Sequence, residues 1–274
     1  MRNFLSISIL FTSLFLTSCG NIQFAQDDTI NKNSSLREYT IQSVMWQQNA
    51  AEWRALCYQA FNIATYRLND YLADSLLNGK RLAIITDVDE TMLDNSPYNA
   101  QLIIEDKDYT PETWYEWTER AEAIPIPGAV EFLNYVKSKG IEVFYVTNRD
   151  SIEKEATIKN MISVGFPYAD QEHVLPKTNL SSKNERFAIV QATHEVLLFM
   201  GDNCSDFSNE FRATSTNERN NLVEKYKDEF GKRFIVFPNP MYGDWESRGI
   251  YQGKHDIPNS KKEEIRIESL RIYK

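Results

Sequence analysis

The sequence predicts an α/β fold in which a parallel β-sheet carries helices on both of its faces. Short and almost continuously apolar stretches alternate with longer stretches whose apolar residues recur at helical spacing. This alternation is typical of buried parallel strands that are joined by helices. Polar and acidic residues directly follow several of the apolar stretches, at the points where the strands would end. The 274-residue chain, less an N-terminal leader, is long enough for one sizeable domain of this kind.

The elements can be assigned in chain order from these patterns. Residues 49–77 carry apolar side chains at helical spacing and are predicted to form one or two amphipathic helices. The first strand is predicted over Leu82–Thr86, an apolar run that ends in a threonine. The remaining predictions are a helix over 128–139, a strand over 141–147, a helix over 151–164, a helix that a capping box at Ser182 opens and that reaches about residue 193, a strand over 195–200, a helix over 215–230 and a strand over 233–237.

Two stretches interrupt this alternation. Residues 95–127 hold several aromatic residues among acidic ones and are predicted to form a small, cap-like insertion over the first strand–helix junction. Residues 238–258 are predicted to be rich in loops. In open parallel sheets the functional site lies outside the carboxyl ends of the strands. Both stretches leave from that edge or can return to it, so they are candidates to line the site.

The N-terminus predicts a lipid anchor. An apolar stretch over 4–16 is too short to span a membrane as a helix, so residues 1–18 are predicted to be a secretory signal peptide. Residues 16–19 resemble a bacterial lipobox, which would make Cys19 the acylated first residue of the mature protein. Residues 19–36 would then form a flexible tether. We expect attachment to the outer membrane, because no Asp follows the cysteine; an ordinary signal peptide with a chance cysteine is the alternative.

Composition limits the classes of ligand. The formal net charge of −9 argues against a nucleic acid polymer as partner and permits a small phosphorylated ligand where charge is compensated locally. Besides the lipobox cysteine, only Cys57 and Cys204 are present; they could pair, but free thiols are expected because one pair makes no disulfide framework. The histidines show no metal-ligand spacing and are predicted to be structural or surface residues. They are His173, His194 and His255.

The acidic pair Asp87 and Asp89 directly follows the first predicted strand. Side chains two positions apart in an extended segment point the same way, so both carboxyl groups can face one site. Two like charges at such a short distance raise the pKa of one of the two carboxyl groups, while a nearby cation can keep the other group ionised. The pair therefore suits a carboxylate nucleophile beside a carboxylic acid that donates a proton. The alternative is a turn or a helix N-cap, for which Asp is a common residue.

Polar side chains also follow the later strands. The second strand ends in Thr147, Asn148 and Arg149. Asp202 and Asp206 follow the third strand, and Lys183 lies between these two groups at a predicted helix start. Each has an ordinary explanation as a turn, cap or solvent-facing residue, but the strand ends of a parallel sheet meet at one edge. Carboxylates suit Mg²⁺, and a lysine with a hydroxyl group suits the oxygens of a phosphoryl group. The sequence therefore predicts metal-assisted phosphoryl transfer.

The chain resembles a known superfamily at these positions. Its residues are similar in kind, order and spacing to the four signature motifs of the haloacid dehalogenase superfamily. The segments that carry this resemblance are residues 87–91, 147–148, 183 and 201–207. Cys204 stands where an apolar residue such as Leu is expected, which is a conservative departure. The resemblance implies a haloacid dehalogenase-like fold.

A narrower resemblance concerns one family of this superfamily. The two pairs of aspartates, the lipobox and residues 238–243 are similar to those of class C acid phosphatases, bacterial surface lipoproteins that are also called the lipoprotein e family. The resemblance covers roughly residues 37–260. It implies a Mg²⁺-dependent acid phosphatase that acts on small phosphate esters, and several members of the family act as 5′-nucleotidases.

The resemblance also implies a role for each residue. Asp87 would be the nucleophile that forms an aspartyl-phosphate, and Asp89 would protonate the leaving group and then deprotonate the attacking water. The metal ligands would be Asp87, Asp202 and the backbone carbonyl of Asp89, while Asp206 would orient a metal-bound water. The residues implied to hold the transferring phosphate are Thr147, Asn148 and Lys183.

For the substrate, the resemblance implies nucleoside 5′-monophosphates and related small esters. Tyr242 matches an aromatic position that family members use to stack a nucleobase, and Tyr98 could form another wall. Stacking a base on an aromatic ring is worth roughly 1–3 kcal/mol. Trp114 and Trp117 are expected instead to pack the insertion against the core.

Two other functions are the alternatives. The first is a surface lipoprotein that binds haem or a host partner and keeps a vestigial phosphatase site; for haem, the sequence offers no obvious axial-ligand motif. The second is a dehalogenase or a phosphonate hydrolase on the same fold. The acid at Asp89 argues against this second alternative, because only a poor leaving group such as an alkoxide needs that proton.

Overall fold

The structure is a computed structural model that describes residues 37–74, 77 and 79–273. Its centre is a five-stranded parallel sheet with the order β5-β4-β1-β6-β7, and two further short strands, β2 and β3, pair with each other antiparallel. The strands are β1 (Leu82–Thr86), β2 (Leu93–Asp94), β3 (Ile124–Pro125), β4 (Glu142–Asp150), β5 (Val174–Lys177), β6 (Glu195–Gly201) and β7 (Phe234–Val236).

Helices pack on both faces of this sheet, because side chains of β1 alternate between two apolar clusters. The α-helices of the described residues are α1 (Ile41–Asn49), α2 (Ala51–Leu72), α3 (Ser96–Glu105), α4 (Pro111–Arg120), α5 (Ala129–Ser138), α6 (Lys154–Ser163), α7 (Asn184–Gln191), α8 (Thr216–Lys225) and α9 (Asn259–Glu268). Ile84 lies in one cluster with Leu68 of α2 and Leu133 of α5. Ile85 lies in the other with Phe187 of α7. The predicted α/β fold with both faces covered is confirmed.

Several boundaries differ from the predictions. The helical stretch predicted over 49–77 begins earlier, and extended backbone at Ala50 (ψ 126°) divides it into α1 and α2. The helix predicted over 215–230 ends at Lys225. The capping box predicted at Ser182 is wrong, because α7 begins at Asn184 and its N-cap residue makes no side-chain cap bond.

Strand β5 has no counterpart among the predicted elements. It contains Pro176 and lies at one edge of the sheet, beside β4. Proline is tolerated in an edge strand, because the missing N–H removes no hydrogen bond to a second neighbour. The short run and its proline hid this strand from a reading that looked for continuous apolar stretches.

The insertion, residues 95–127, folds as α3, α4 and β3. The side chain of Thr110 accepts the N–H of Thr113 and caps α4, whose first residue is Pro111. The described residues all belong to one compact unit, Ser35–Lys274.

Two further findings concern the cysteines and the membrane. Cys57 and Cys204 are free thiols, as predicted. None of the described helices combines the length and the apolar character that crossing a bilayer would require. The predicted signal peptide, the lipidation site Cys19 and the tether lie outside the described residues and stay predictions.

Candidate active site

The carboxyl ends of the central strands surround a cavity of about 480 Å³. Asp87 follows β1, and its backbone N–H donates to the carbonyl of Met200 in β6 at 2.9 Å, which fixes this loop against the neighbouring strand. The ends of β1, β4 and β6 and the stretch after β7 all contribute to the cavity wall. Of the residues predicted to form the site, those that line the cavity are Asp87, Asp89, Tyr98, Asn148, Lys183, Asp202, Asp206 and Tyr242.

Lys183 lies between two of the carboxylates. Its side chain is only 4% exposed, and its ammonium group forms an ion pair with Asp87 and another, at 2.8 Å, with Oδ1 of Asp206. Burial acts to lower the pKa of Lys183, but Asp206 and Asp87 outweigh it and raise that pKa. The group therefore stays cationic and can face the oxygens of a bound anion.

A third carboxylate, that of Asp202, lies beside the two that pair with Lys183. Single oxygens of Asp87, Asp202 and Asp206 lie within 4.8 Å of one another. Burial raises the pKa of Asp87 against the opposing charge of Lys183, and burial and the charge of Asp206 raise the pKa of Asp202. One lysine cannot neutralise three carboxylates, and this set of hard oxygen donors fits a divalent cation such as Mg²⁺. The residues that would hold the ion are Asp87 and Asp202, with Asp206 beside them.

Asp202 is held in place by three side chains. Its Oδ2 accepts N–H groups from Asn203 and Asn239, each at 2.8 Å, and its Oδ1 accepts the hydroxyl of Thr91 at 3.3 Å. Asn239 belongs to the stretch after β7, so two loops hold one carboxylate. Residues 238–243 carry part of the resemblance to class C acid phosphatases, but no role was predicted for Asn239.

The side chain of Asp89 lies outside this carboxylate cluster and binds Arg149 instead. Nε and one terminal nitrogen of Arg149 donate to Oδ1 of Asp89 at 2.9 and 2.8 Å, and Nδ2 of Asn95 donates to the same oxygen at 2.9 Å. The side chain of Arg149 is 1% exposed. Arg149 was predicted as one of the polar residues that end the second strand, but without a role, and nothing in the sequence marked Asn95.

Thr147 and Asn148 have different surroundings, although they are neighbours in the chain. Asn148 lines the cavity, and its Oδ1 accepts an N–H of Arg186 at 2.9 Å. Thr147 is fully buried and is not among the residues that line the cavity. Its hydroxyl oxygen accepts the backbone N–H of Arg149 at 3.0 Å and so shapes the turn that presents this arginine. The predicted phosphate contact of Thr147 stays a prediction.

The sequence of the chain matches a known protein family. The model of the acid phosphatases of the HAD superfamily, subfamily IIIB, matches residues 10–245. The chain belongs to this family. The class C acid phosphatase from Bacillus anthracis has a solved structure that is 39% identical to this chain, with a TM-score of 0.84. The likeness covers 88% of this chain and 100% of the other, and a second structure of that enzyme, with tungstate bound, gives the same values. The resemblance to class C acid phosphatases is therefore confirmed.

Plant proteins of lower sequence identity match a shorter part of the chain. Acid phosphatase 1 from Solanum lycopersicum is 27% identical over 166 residues, which is 58% of this chain and 57% of that protein. Vegetative storage protein 1 from Arabidopsis thaliana is 25% identical over 166 residues, 58% of this chain and 54% of its own length. The matched region thus spans about half the length of these curated relatives.

Part of the remaining wall of the cavity is aromatic. Tyr98, Trp114 and Tyr242 line it. The hydroxyl of Tyr98 shares a hydrogen bond of 2.9 Å with Thr113, and its ring meets Trp114 edge-on with centroids 5.1 Å apart. Trp117 packs against the hydrophobic core, as expected. The same expectation for Trp114 was incomplete, because this residue also lines the cavity.

Proposed function

We propose that the chain is a Mg²⁺-dependent phosphomonoesterase that acts on small phosphate esters through an aspartyl-phosphate. The observation that carries the proposal is a cluster of three carboxylates, two of them paired with one buried lysine, at the carboxyl edge of the sheet. A phosphoryl group in transfer carries negative charge on its oxygens and needs positive groups beside them. Membership of the acid phosphatase subfamily and the likeness to a class C acid phosphatase support the proposal.

In this proposal the chain's own residues make and break the bonds. An oxygen of Asp87 attacks phosphorus while the bond to the leaving oxygen breaks, and Asp89 gives its proton to that oxygen. Asp89 then takes a proton from the attacking water, and phosphate leaves Asp87. Lys183 and Asn148, both at the cavity wall, hold phosphate oxygens. Held by Asp87 and Asp202, Mg²⁺ supplies positive charge that offsets the repulsion between nucleophile and phosphate.

A nucleoside 5′-monophosphate is the substrate that we favour. A cavity of about 480 Å³ has room for a leaving group as well as a phosphate. Tyr98 and Tyr242 line it and offer rings on which a base can stack, an interaction worth about 1–3 kcal/mol.

We also propose a location at the cell envelope. The lipobox-like residues 16–19 support attachment to the outer membrane through an acylated Cys19, facing the periplasm or the cell surface. There, removal of phosphate would turn a charged nucleotide into a nucleoside that a cell can import.

Release of phosphate from 4-nitrophenyl phosphate tests the reaction. Mg²⁺ should support turnover, EDTA should remove it, and Asp87→Asn should lower kcat by at least about 10³-fold, because the nucleophile is lost. Asp70→Asn is the matched control, since it makes the same change at an exposed carboxylate of α2. Full activity of Asp87→Asn would exclude this residue as the nucleophile.

A second measurement tests the nucleotide. Tyr242→Ala should raise KM for adenosine 5′-monophosphate by about tenfold, as loss of one stacking contact predicts. The KM for glycerol 1-phosphate, which has no ring to stack, should change much less in Tyr242→Ala. Tyr242→Phe should keep the nucleotide preference. An equal loss on both esters would remove the reason to prefer nucleotides.

The haem-binding alternative gains nothing from the described histidines. His173 and His194 are buried and pair with Glu142 at the start of β4, the end of the strand opposite the cavity. His255 is exposed. The prediction that these are structural or surface residues agrees with their positions.

A further inference from the structure

One face of α4 contacts both residues that hold the carboxyl group of Asp89. Trp114 and Trp117 lie three positions apart, so their side chains project from the same face of this helix. The indole N–H of Trp117 donates to Oδ1 of Asn95 at 2.8 Å. The ring centroid of Trp114 lies 5.6 Å from the guanidinium carbon of Arg149, which is a cation–π contact.

The amide of Asn95 has a single orientation that satisfies its surroundings. Asn95 is fully buried. Its Oδ1 accepts N–H groups from Trp117 and, at 3.3 Å, from Arg149, so its Nδ2 is the atom that faces Asp89. A flipped amide would set its own N–H groups against two donors. The backbone N–H of Asn95 donates to the buried carboxyl group of Glu90 at 2.8 Å, which fixes the main chain as well.

The two oxygens of the Asp89 carboxyl group are consequently different. Oδ1 accepts three N–H groups, two from Arg149 and one from Asn95, at 2.8 to 2.9 Å. Among the described residues, Oδ2 receives one longer contact, 3.3 Å from Nε of Arg149. A proton on Oδ1 would face three donors, so Oδ2 is the oxygen that remains for a proton.

We infer that Asn95 and Trp117 are positioning residues for Asp89 and that they reserve its Oδ2 for the proton that passes to the leaving group. The inference rests on the proposed role of Asp89 as proton donor. In that step the O–H bond at Oδ2 breaks as the leaving oxygen takes the proton, while Oδ1 keeps its three donors. Because Trp117 belongs to the insertion but does not line the cavity, the insertion contributes to the chemistry as well as to the wall.

The dependence of rate on the leaving group separates positioning from a structural role. A proton donor accelerates departure of a basic leaving group and matters little for one that departs as a stable anion. The experiment measures kcat/KM for substituted phenyl phosphates. This quantity includes only the steps up to departure of the leaving group and therefore excludes hydrolysis of the aspartyl-phosphate. Trp117→Phe removes the N–H and keeps an aromatic ring, with the same loss of ring area as the control at Trp53, and Asn95→Ala removes the amide.

Both variants should lose more activity as the leaving group becomes more basic. A positioned acid contributes about 10²–10⁴-fold, so we expect a loss of about tenfold or more with phenyl phosphate and of less than about threefold with 2,4-dinitrophenyl phosphate. Trp53→Phe and Asn160→Ala are matched controls, since they remove hydrogen bonds of an indole N–H and of a buried amide that reach neither Asp89 nor its partners Arg149 and Asn95. Each control should change all esters by one common factor.

Equal losses across the ester series in Trp117→Phe would overturn the inference, because a structural role lowers every rate alike. If circular dichroism shows that Asn95→Ala does not fold, the result for Trp117→Phe alone tests the inference. Failure of the proposed function gives a different result. The wild type would then release no Mg²⁺-dependent phosphate from any ester, or Asp89→Asn would show the same leaving-group dependence as the wild type.

Discussion

At the scale of single residues, the proposed metal site depends on the side chains that orient its ligands. Nδ2 of Asn239 donates to Oδ2 of Asp202 at 2.8 Å, and Oδ1 of the same amide accepts the backbone N–H of Met241 at 2.9 Å. The amide thus ties the stretch after β7 to the carboxylate. Loss of such a partner typically costs about 10–100-fold in metal affinity.

Asn239→Ala should therefore weaken Mg²⁺ binding more than it slows the reaction. We expect the Mg²⁺ concentration for half-maximal phosphate release to rise by about tenfold or more, with kcat at saturating Mg²⁺ changed far less. Asn134→Ala is the matched control, because its exposed amide donates to the backbone carbonyls of Val130 and Gly165, away from the cavity. An unchanged half-saturating concentration in Asn239→Ala would show that Asp202 does not need this partner to bind the ion.

Residue types at strand ends were enough to predict which carboxylates meet. Asp87, Lys183, Asp202 and Asp206 converge because a parallel sheet places its carboxyl strand ends at one edge, whatever the path of the connections. No comparable rule predicts the contacts of Asn95. They depend on the path of the insertion and on one amide orientation, which local patterns do not encode.

At the scale of elements, β6 requires glycine at its last position, Gly201. A Cβ atom on Gly201 would lie 2.7 Å from Cγ of Asp206 and would crowd other atoms of that side chain. The side chain cannot easily move aside, because its Oδ2 accepts the backbone N–H of Asn203 at 2.9 Å and its Oδ1 pairs with Lys183 at 2.8 Å. Gly201 and Asp206 thus fit together only because residue 201 has no Cβ atom.

Gly201→Ala should consequently damage activity more than stability. We expect a loss of stability of about 1–3 kcal/mol from overpacking. Displacement of Asp206 should lower kcat by about 100-fold, since misplacement by about 1 Å can cost that much. Gly140→Ala is the control, because its φ of +71° costs stability while nothing lies within 4 Å of the new atom. Urea unfolding and phosphate release of both variants check this, and a wild-type kcat in Gly201→Ala would contradict it.

The limits of sequence patterns are also visible at this scale. Apolar runs predicted four of the five strands of the central sheet, because strands buried on both faces need apolar residues at nearly every position. Strand β5 escaped, since an edge strand accommodates Pro176. The capping-box pattern at Ser182 failed because Lys183 occupies the N-cap position of α7, and its side chain pairs with Asp87 and Asp206 instead of capping the helix.

At the scale of the whole molecule, the two ends of the sheet have different tasks. The carboxyl ends of the strands carry the cavity, and the amino ends meet at Glu142, the first residue of β4. Arg81, His173 and His194 immediately precede β1, β5 and β6, and each pairs with Glu142 at 3.0 to 3.2 Å. Although burial acts to raise it, the contacts with His194, Arg81 and His173 lower the pKa of Glu142 to about 2. This cluster joins four neighbouring strands without touching the cavity.

The lowered pKa makes Glu142 a source of stability that acid removes. A carboxyl group with a lower pKa in the folded state stabilises the fold above its unfolded pKa, near about 4.3 for Glu, and this contribution is lost as pH falls towards the folded value. We expect Glu142→Gln to reduce the free energy of unfolding by about 1–3 kcal/mol at neutral pH, as loss of charged hydrogen bonds predicts. The difference from wild type should shrink as pH drops below about 4, where unfolded Glu is protonated.

Urea denaturation of both proteins across this pH range measures the difference in the free energy of unfolding. Glu195→Gln is the control, because it removes an exposed ion pair with Lys80. A difference that does not vary with pH would mean that Glu142 stabilises the sheet by packing rather than by its charge.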